Sequence, residues 1–152
     1  MITAVIDTNV LIDATADLSG YAHQVIALVV EGNVKAVASR RIEDEYRALI
    51  AKAADKRARQ ELDEFFDMVA RVRTHERAEA RSKDREDQKF LDCASTAGAD
   101  FIITNDHHLL DLGASGTTKI ITPEEFISLS HAAQDPEGKS AWASWVKEIF
   151  GK

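Results

Sequence analysis

Gly98-Ala99-Asp100-Phe101-Ile102-Ile103-Thr104-Asn105-Asp106 is the stretch on which the fold turns. Its apolar, β-branched centre, bounded by a glycine and closed by polar residues, predicts a buried strand over 100–104. Upstream, Asp87 to Ala97 sets Phe90, Leu91 and Ala94 on one helical face, and Gly98 stands where a helix stops. A helix feeding a strand that ends near an acid is one unit of an alternating pattern, and the rest of the chain repeats it. Met1 to Ile6 predicts a buried strand cut off by Asp7-Thr8-Asn9, followed by a short apolar stretch from Val10 to Ala14. Tyr21 to Glu31 predicts a helix stopped by Gly32-Asn33, and Val34 to Ala38 a second strand. Ser39 is a suitable N-cap for a helix carrying Ile42, Tyr46, Leu49 and Ile50, and a second helix from Lys56 to Ala70 sets Leu62, Phe65, Phe66 and Val69 on one face, making a helical hairpin. A last strand near Lys119 to Ile121 precedes a short helix opened by Thr122-Pro123-Glu124-Glu125. Strands separated by helices need crossover connections, so the expected fold class is α/β, a three-layer α/β/α sandwich around a central parallel sheet.

The 152 residues are enough for one core and too few for two, and 45% hydrophobic with 30% charged residues is ordinary globular usage. Apolar runs such as Val25 to Val30 are far too short to cross a bilayer, and Met1 leads straight into a strand, so neither a membrane span nor a signal peptide is expected. Cys93, the single cysteine, leaves no intramolecular disulfide and no thiolate pair for zinc, which points to a reducing cytoplasm. The net charge of −7 argues against holding nucleic acid by bulk electrostatics, yet residues 35–89 carry 15 of the 19 Lys and Arg against 13 of the 26 acids. That window is read either as salt-bridged, solvated helices or as a face for an anionic ligand.

Functional groups of an open α/β sheet gather outside the carboxyl ends of its strands. Asp7 ends the first predicted strand and Asp106 follows the fourth segment, while Glu45 lies about two turns into the helix after strand two and Asp87 opens the helix before strand 100–104. Convergence of these four carboxylates is costly without a cation, because like charges raise one another's pKa, and hard oxygen donors suit Mg²⁺ or Mn²⁺. Singly, each has a plain alternative: Asp7-Thr8-Asn9 as a strand-to-helix turn with a cap, Asp87 as a first-turn acid matched to the helix dipole.

In order and spacing, four segments resemble one family. They are Val5-Ile6-Asp7-Thr8-Asn9-Val10-Leu11, Ala38-Ser39 leading to Glu43-Asp44-Glu45-Tyr46-Arg47, Asp84-Arg85-Glu86-Asp87-Gln88-Lys89-Phe90-Leu91, and Gly98 through Asp106 with Leu109-Leu110 beyond. The resemblance is to PIN-domain proteins, over residues 1 to about 129, and within them to the bacterial and archaeal toxin components of toxin-antitoxin systems related to VapC; Thr122-Pro123-Glu124-Glu125-Phe126 fits that group's ending. It implies a metal-dependent ribonuclease whose acids map onto Asp7, Glu45, Asp87 and Asp106, supported by Asn9, Ser39 and Thr104, with water activated by Mg²⁺ or Mn²⁺ attacking RNA. It also implies a cognate antitoxin as partner. Arg40, Arg41 and Arg47 are the candidates for holding RNA backbone. One position departs from the pattern: many relatives carry a second aspartate two residues after the one matching Asp106, and here that residue is His108. This puts a second metal in question. Asp92 and Asp111 are poor substitutes, the former being about 140° from Asp87 in helical phase. Adjacent His107 and His108 lack zinc-pair spacing and predict an exposed turn.

Rival readings are an aspartyl-phosphate phosphatase, disfavoured by Asn9 where a second acid is needed, a non-catalytic PIN fold that binds RNA or protein, and a nuclease of RNA processing or decay. The expected division is a PIN-like nuclease domain at 1–130 and, at 131–152, a linker and C-terminal amphipathic helix. Trp142, Trp145, Val146, Ile149 and Phe150 fall at helical spacing there, a stripe that either packs back on the domain or joins two chains in a homodimer.

Overall fold

The computed structural model describes residues 1–53, 55–78 and 80–133. The Trp142–Phe150 stripe lies outside the described residues, as does the linker beyond 133. Among the described residues, six strands form one sheet in the order β3-β2-β1-β4-β6-β5. Strand β1 (Thr3–Ile6) is central, parallel to β2 (Lys35–Ala38) on one side and to β4 (Phe101–Ile103) on the other, with Ala4 opposite both Ala36 and Phe101. Beyond β4 lies β6 (Thr118–Ile121), also parallel, and beyond β2 lies β3 (Ala70–Arg71). Ala4, Val5 and Ile6, like Phe101, Ile102 and Ile103, are all completely buried. Consecutive buried residues on a pleated strand mean that both faces are covered, which is the expected three-layer α/β/α sandwich.

The covering helices are α1 (Thr8–Ala16), α2 (Tyr21–Val30), α3 (Arg40–Lys52), α4 (Lys56–Met68), α5 (Gln88–Ala97), α6 (His107–Leu110) and α7 (Pro123–Ala133). Helix α5 lies across β1, β2 and β4, while α2 contacts α1, α4 and α7. Gly98 ends α5 in the left-handed conformation, φ 62°, and its N–H donates to the Ala94 and Ser95 carbonyls. The predicted helical hairpin is present as α3 and α4, joined at their centre by Tyr46 and Phe65, whose rings meet edge to face at 5.6 Å. Tyr46 also donates its buried hydroxyl to the Ile6 carbonyl, tying α3 to the end of β1. Among the described residues, no helix is long and apolar enough to cross a membrane.

Four elements go beyond the sequence reading. Val10 to Ala14 is the interior of helix α1, capped by the Asp7 side chain. The two-residue β3 exists because Val72 N–H bonds to the Ala38 carbonyl at 2.9 Å and Arg71 grips buried Glu43 with two hydrogen bonds, 3.0 and 2.8 Å, from across the α3 interface. Strand β5 (Ala114–Ser115) runs antiparallel to β6 through a two-residue turn whose first residue, Gly116, takes the φ of 58° that such hairpins need. Residues 107–110 form the short helix α6 where a turn was expected. Helix α7 continues past residue 130 to Ala133.

Candidate active site

The order β2-β1-β4 places the reversal of strand order at β1, so the carboxyl ends of these strands open a crevice. Asp7 follows β1 directly. Its N–H bonds to the Ile103 carbonyl at 3.0 Å, its Oδ1 accepts from Asn9 N–H at 3.1 Å, and its Oδ2 accepts from the Thr104 hydroxyl at 2.7 Å. Thr104, just past β4, is fully buried, and its Oγ1 also accepts from Asp106 N–H at 2.9 Å. One threonine thus sets two acids in register. Asn9 itself is exposed and enters through its backbone, whereas Ser39 is buried and caps α3 by accepting from Ile42 N–H at 3.4 Å.

Asp87 is the last residue of a 3₁₀ turn (Arg85–Asp87) leading into α5, and it is only 7% exposed. With its neighbours ionised, its Oδ2 has no hydrogen-bond partner. Burial first, then a hydrogen bond with the Asp106 carboxyl and the charges of Asp106, Asp84 and Asp7, push its pKa up to about 7. Burial likewise raises Asp7, against the lowering effect of Thr104 and Asn9, and the charges of Asp106 and Glu45 add to the rise. Asp7, Asp87 and Asp106 therefore sense one another directly, and Glu45 acts on Asp7.

Glu45 is compensated differently. Its Oε1 accepts from the Thr8 hydroxyl at 2.6 Å, and its Oε2 is ion-paired with Lys89 Nζ. The Lys89 side chain is only 9% exposed, lies 3.6 Å from Glu86 Oε2, and stands 5.0 Å over the Phe90 ring. Lys89 was invisible as a site residue in the sequence, because its partner is 44 positions away. The signal that could have found it is its place two residues after Asp87, on the first turn of the helix that brings Asp87 in.

A groove of about 530 Å³ beside this cluster is lined by Ser39, Arg40, Arg41, Arg71, Arg73, Arg85 and Lys89, among others. Arg41, Arg85 and Lys89 also line the adjoining hollow that reaches Glu45. Arg40 and Arg41 both line this groove. Arg47 is not among its lining residues: its guanidinium sits 5.3 Å over the Phe66 ring and 3.7 Å from Glu43. Arg71, Arg73 and Arg85 join instead, carried by β3 and the segment before α5, which sequence spacing did not link to α3.

The poor substitutes stay out of the cluster. Asp92 accepts from Ala78 N–H and Gln88 Nε2, pinning the segment before α5, and Asp111 is an exposed residue at the end of α6. Cys93 is buried, with its thiol pushed up to about 11 by burial, so it is no nucleophile.

The donor set fits a hard divalent cation: clustered carboxylate oxygens, held by Thr104 and partly desolvated, with one buried oxygen lacking any partner. Because Asp87 holds its proton up to about pH 7, a cation must displace that proton at lower pH. Affinity for Mg²⁺ or Mn²⁺ is expected to level off above pH 7 and to fall about tenfold per pH unit below it, as calorimetry across pH 5–8 can check. A flat profile would mean that Asp87 is not a ligand.

No curated protein matches the sequence significantly. A solved structure with the same fold is a chain of VapBC2 from Rickettsia felis, bound to a DNA fragment from its promoter: the TM-score is 0.56, the identity 13%, and the match covers 80% of this chain and 98% of that one. The sequence model of the PIN domain matches residues 3–108, a span from β1 into α6 that takes in Asp7, Glu45, Asp87 and Asp106. With that span the larger part of its length, the chain belongs to the PIN-domain family.

Proposed function

We propose that this chain is an endoribonuclease dependent on Mg²⁺ or Mn²⁺ that hydrolyses RNA phosphodiester bonds in the cytoplasm as the toxin of a type II toxin-antitoxin pair. In this reading the nuclease is the α/β domain through α7, and two copies of the chain pair as a homodimer. The observation that carries it is the buried oxygen of Asp87, with no N–H or hydroxyl donor, among Asp7 and Asp106, while an arginine-lined groove runs past the flanking Arg85 and Gln88. PIN domains are generally nucleases, and an acidic centre flanked by a cationic track is what phosphodiester hydrolysis requires. The likeness to a VapBC2 chain supports the toxin assignment and a cognate antitoxin.

Asp7, Glu45, Asp87 and Asp106 would hold the cation. When bound, it supplies a Lewis acid that lowers the pKa of water and neutralises charge on the scissile phosphate and the leaving oxygen. Thr104 keeps the Asp7 and Asp106 carboxylates in register, and Thr8 fixes the rotamer of Glu45. Lys89 supplies a built-in positive charge beside Glu45, where a phosphate oxygen can be met without a second cation. Arg40, Arg41, Arg73 and Arg85 hold the sugar-phosphate backbone leading to that point.

The test is cleavage of a labelled single-stranded RNA by the purified chain. Cleavage should require added Mg²⁺ or Mn²⁺, stop on chelation, and weaken steeply with salt. Arg40→Glu with Arg41→Glu should raise KM far more than it lowers kcat. Expression of the chain alone should slow growth. An intact, metal-loaded protein inert on every RNA tried would favour the non-catalytic reading.

A further inference from the structure

We propose that His108 is an imidazole ligand, with Asp84 and Asp87, to a divalent cation, and that this nitrogen donor shifts the site from Mg²⁺ towards first-row transition ions such as Mn²⁺ and Co²⁺. The proposal rests on the reading of the acid cluster as a metal centre, with which this trio shares Asp87, and says which ion is selected there.

One ligand atom from each of Asp84, Asp87 and His108 lies within 4.8 Å of the other two. Opposite ligands of an octahedral ion are roughly 4.2 Å apart, so the three atoms lie close to the span of one coordination sphere. The independent sign that something belongs there is Asp87 Oδ2, to which no N–H or hydroxyl group donates, in a residue 93% removed from solvent and facing the Asp106 carboxyl. His108 is held in place for this by the turn that opens α6: its N–H donates to Asp106 Oδ1 at 2.8 Å, and its Nδ1 lies 3.6 Å from the same oxygen. Asp84 is fixed by accepting from Glu86 N–H at 2.9 Å, which leaves its second oxygen available. Carboxylates and water satisfy Mg²⁺, whereas imidazole adds affinity along the Mn²⁺ to Co²⁺ series and little for Mg²⁺.

Transition ions bind many carboxylate sites more tightly than Mg²⁺, so the change on substitution is the informative quantity. Calorimetric titration of the full-length protein with Mg²⁺, Mn²⁺ and Co²⁺ is the experiment, with circular dichroism to show that each variant is folded. His108→Ala should weaken Co²⁺ roughly tenfold or more and Mn²⁺ less, while Mg²⁺ changes by under about twofold. His108→Asp should strengthen Mg²⁺ and narrow the Co²⁺/Mg²⁺ ratio. Equal ratios in all three proteins would overturn the role of His108 while leaving the metal centre standing. Absence of any divalent binding to the parent chain would overturn the centre and this proposal together.

Discussion

Asp7→Asn is expected to slow RNA cleavage by roughly a hundredfold to a thousandfold while the metal-free protein remains at least as resistant to heat as the parent. The two halves of this result have one origin. Asp7 is almost fully buried beside Asp106 and Glu45, so its charge is held at a cost, relieved only in part by Thr104 and Asn9. Asparagine keeps the shape and can still accept from the Asn9 N–H, but it removes a repelling charge and, with it, a ligand. A melting temperature at pH 7 equal to or above the parent's, together with the lost turnover, separates removal of a functional charge from damage to the fold. Cleavage at the parent's rate would take Asp7 out of the site.

Phe101→Ala should cost about 3–5 kcal/mol, a large share of the stability of a domain this size. Phe101 is completely buried in β4 and meets Phe126 of α7 edge to face at 5.5 Å. Its removal opens a cavity between the sheet and a helix, where neither side can collapse without breaking its own hydrogen bonds. Urea denaturation should show a lowered midpoint at an unchanged slope. A loss below 1 kcal/mol would mean that α7 is not docked on β4 as described.

The long elements were legible because their signals are local. Phe101, Ile102 and Ile103 state a buried strand by composition alone, and Gly98 states the helix end before it. Strand β3 carries no such signal: two residues become a strand only because Glu43, 28 positions away, holds Arg71. Helix α1 is only nine residues long, and its clearest marker, the Asp7 cap, was also a candidate ligand. The four acids could be read from their places after strands and before a helix. Which charge compensates which could not. The pairing of Lys89 with Glu45, the withdrawal of Arg47 onto Phe66 and the approach of His108 to Asp84 all depend on how helices from separate segments rotate against each other. Periodicity gives the face a residue occupies, not the neighbour it finds.

The hydrogen bond from Thr104 to Asp7 joins residues 97 positions apart, across the pairing of β1 with β4. Its consequence is temporal. Translation delivers Asp7 ahead of Glu45, Asp87 and Asp106, so its carboxylate lacks its full set of companions until Asp106 has been added, and β1 waits for β4 to complete its ladder. Closing so long a loop makes this one of the slower contacts to form. No nascent chain that stops short of Asp106 can possess the full carboxylate cluster, so whatever chemistry the cluster performs is withheld from the ribosome making it until β4 and the turn after it have emerged.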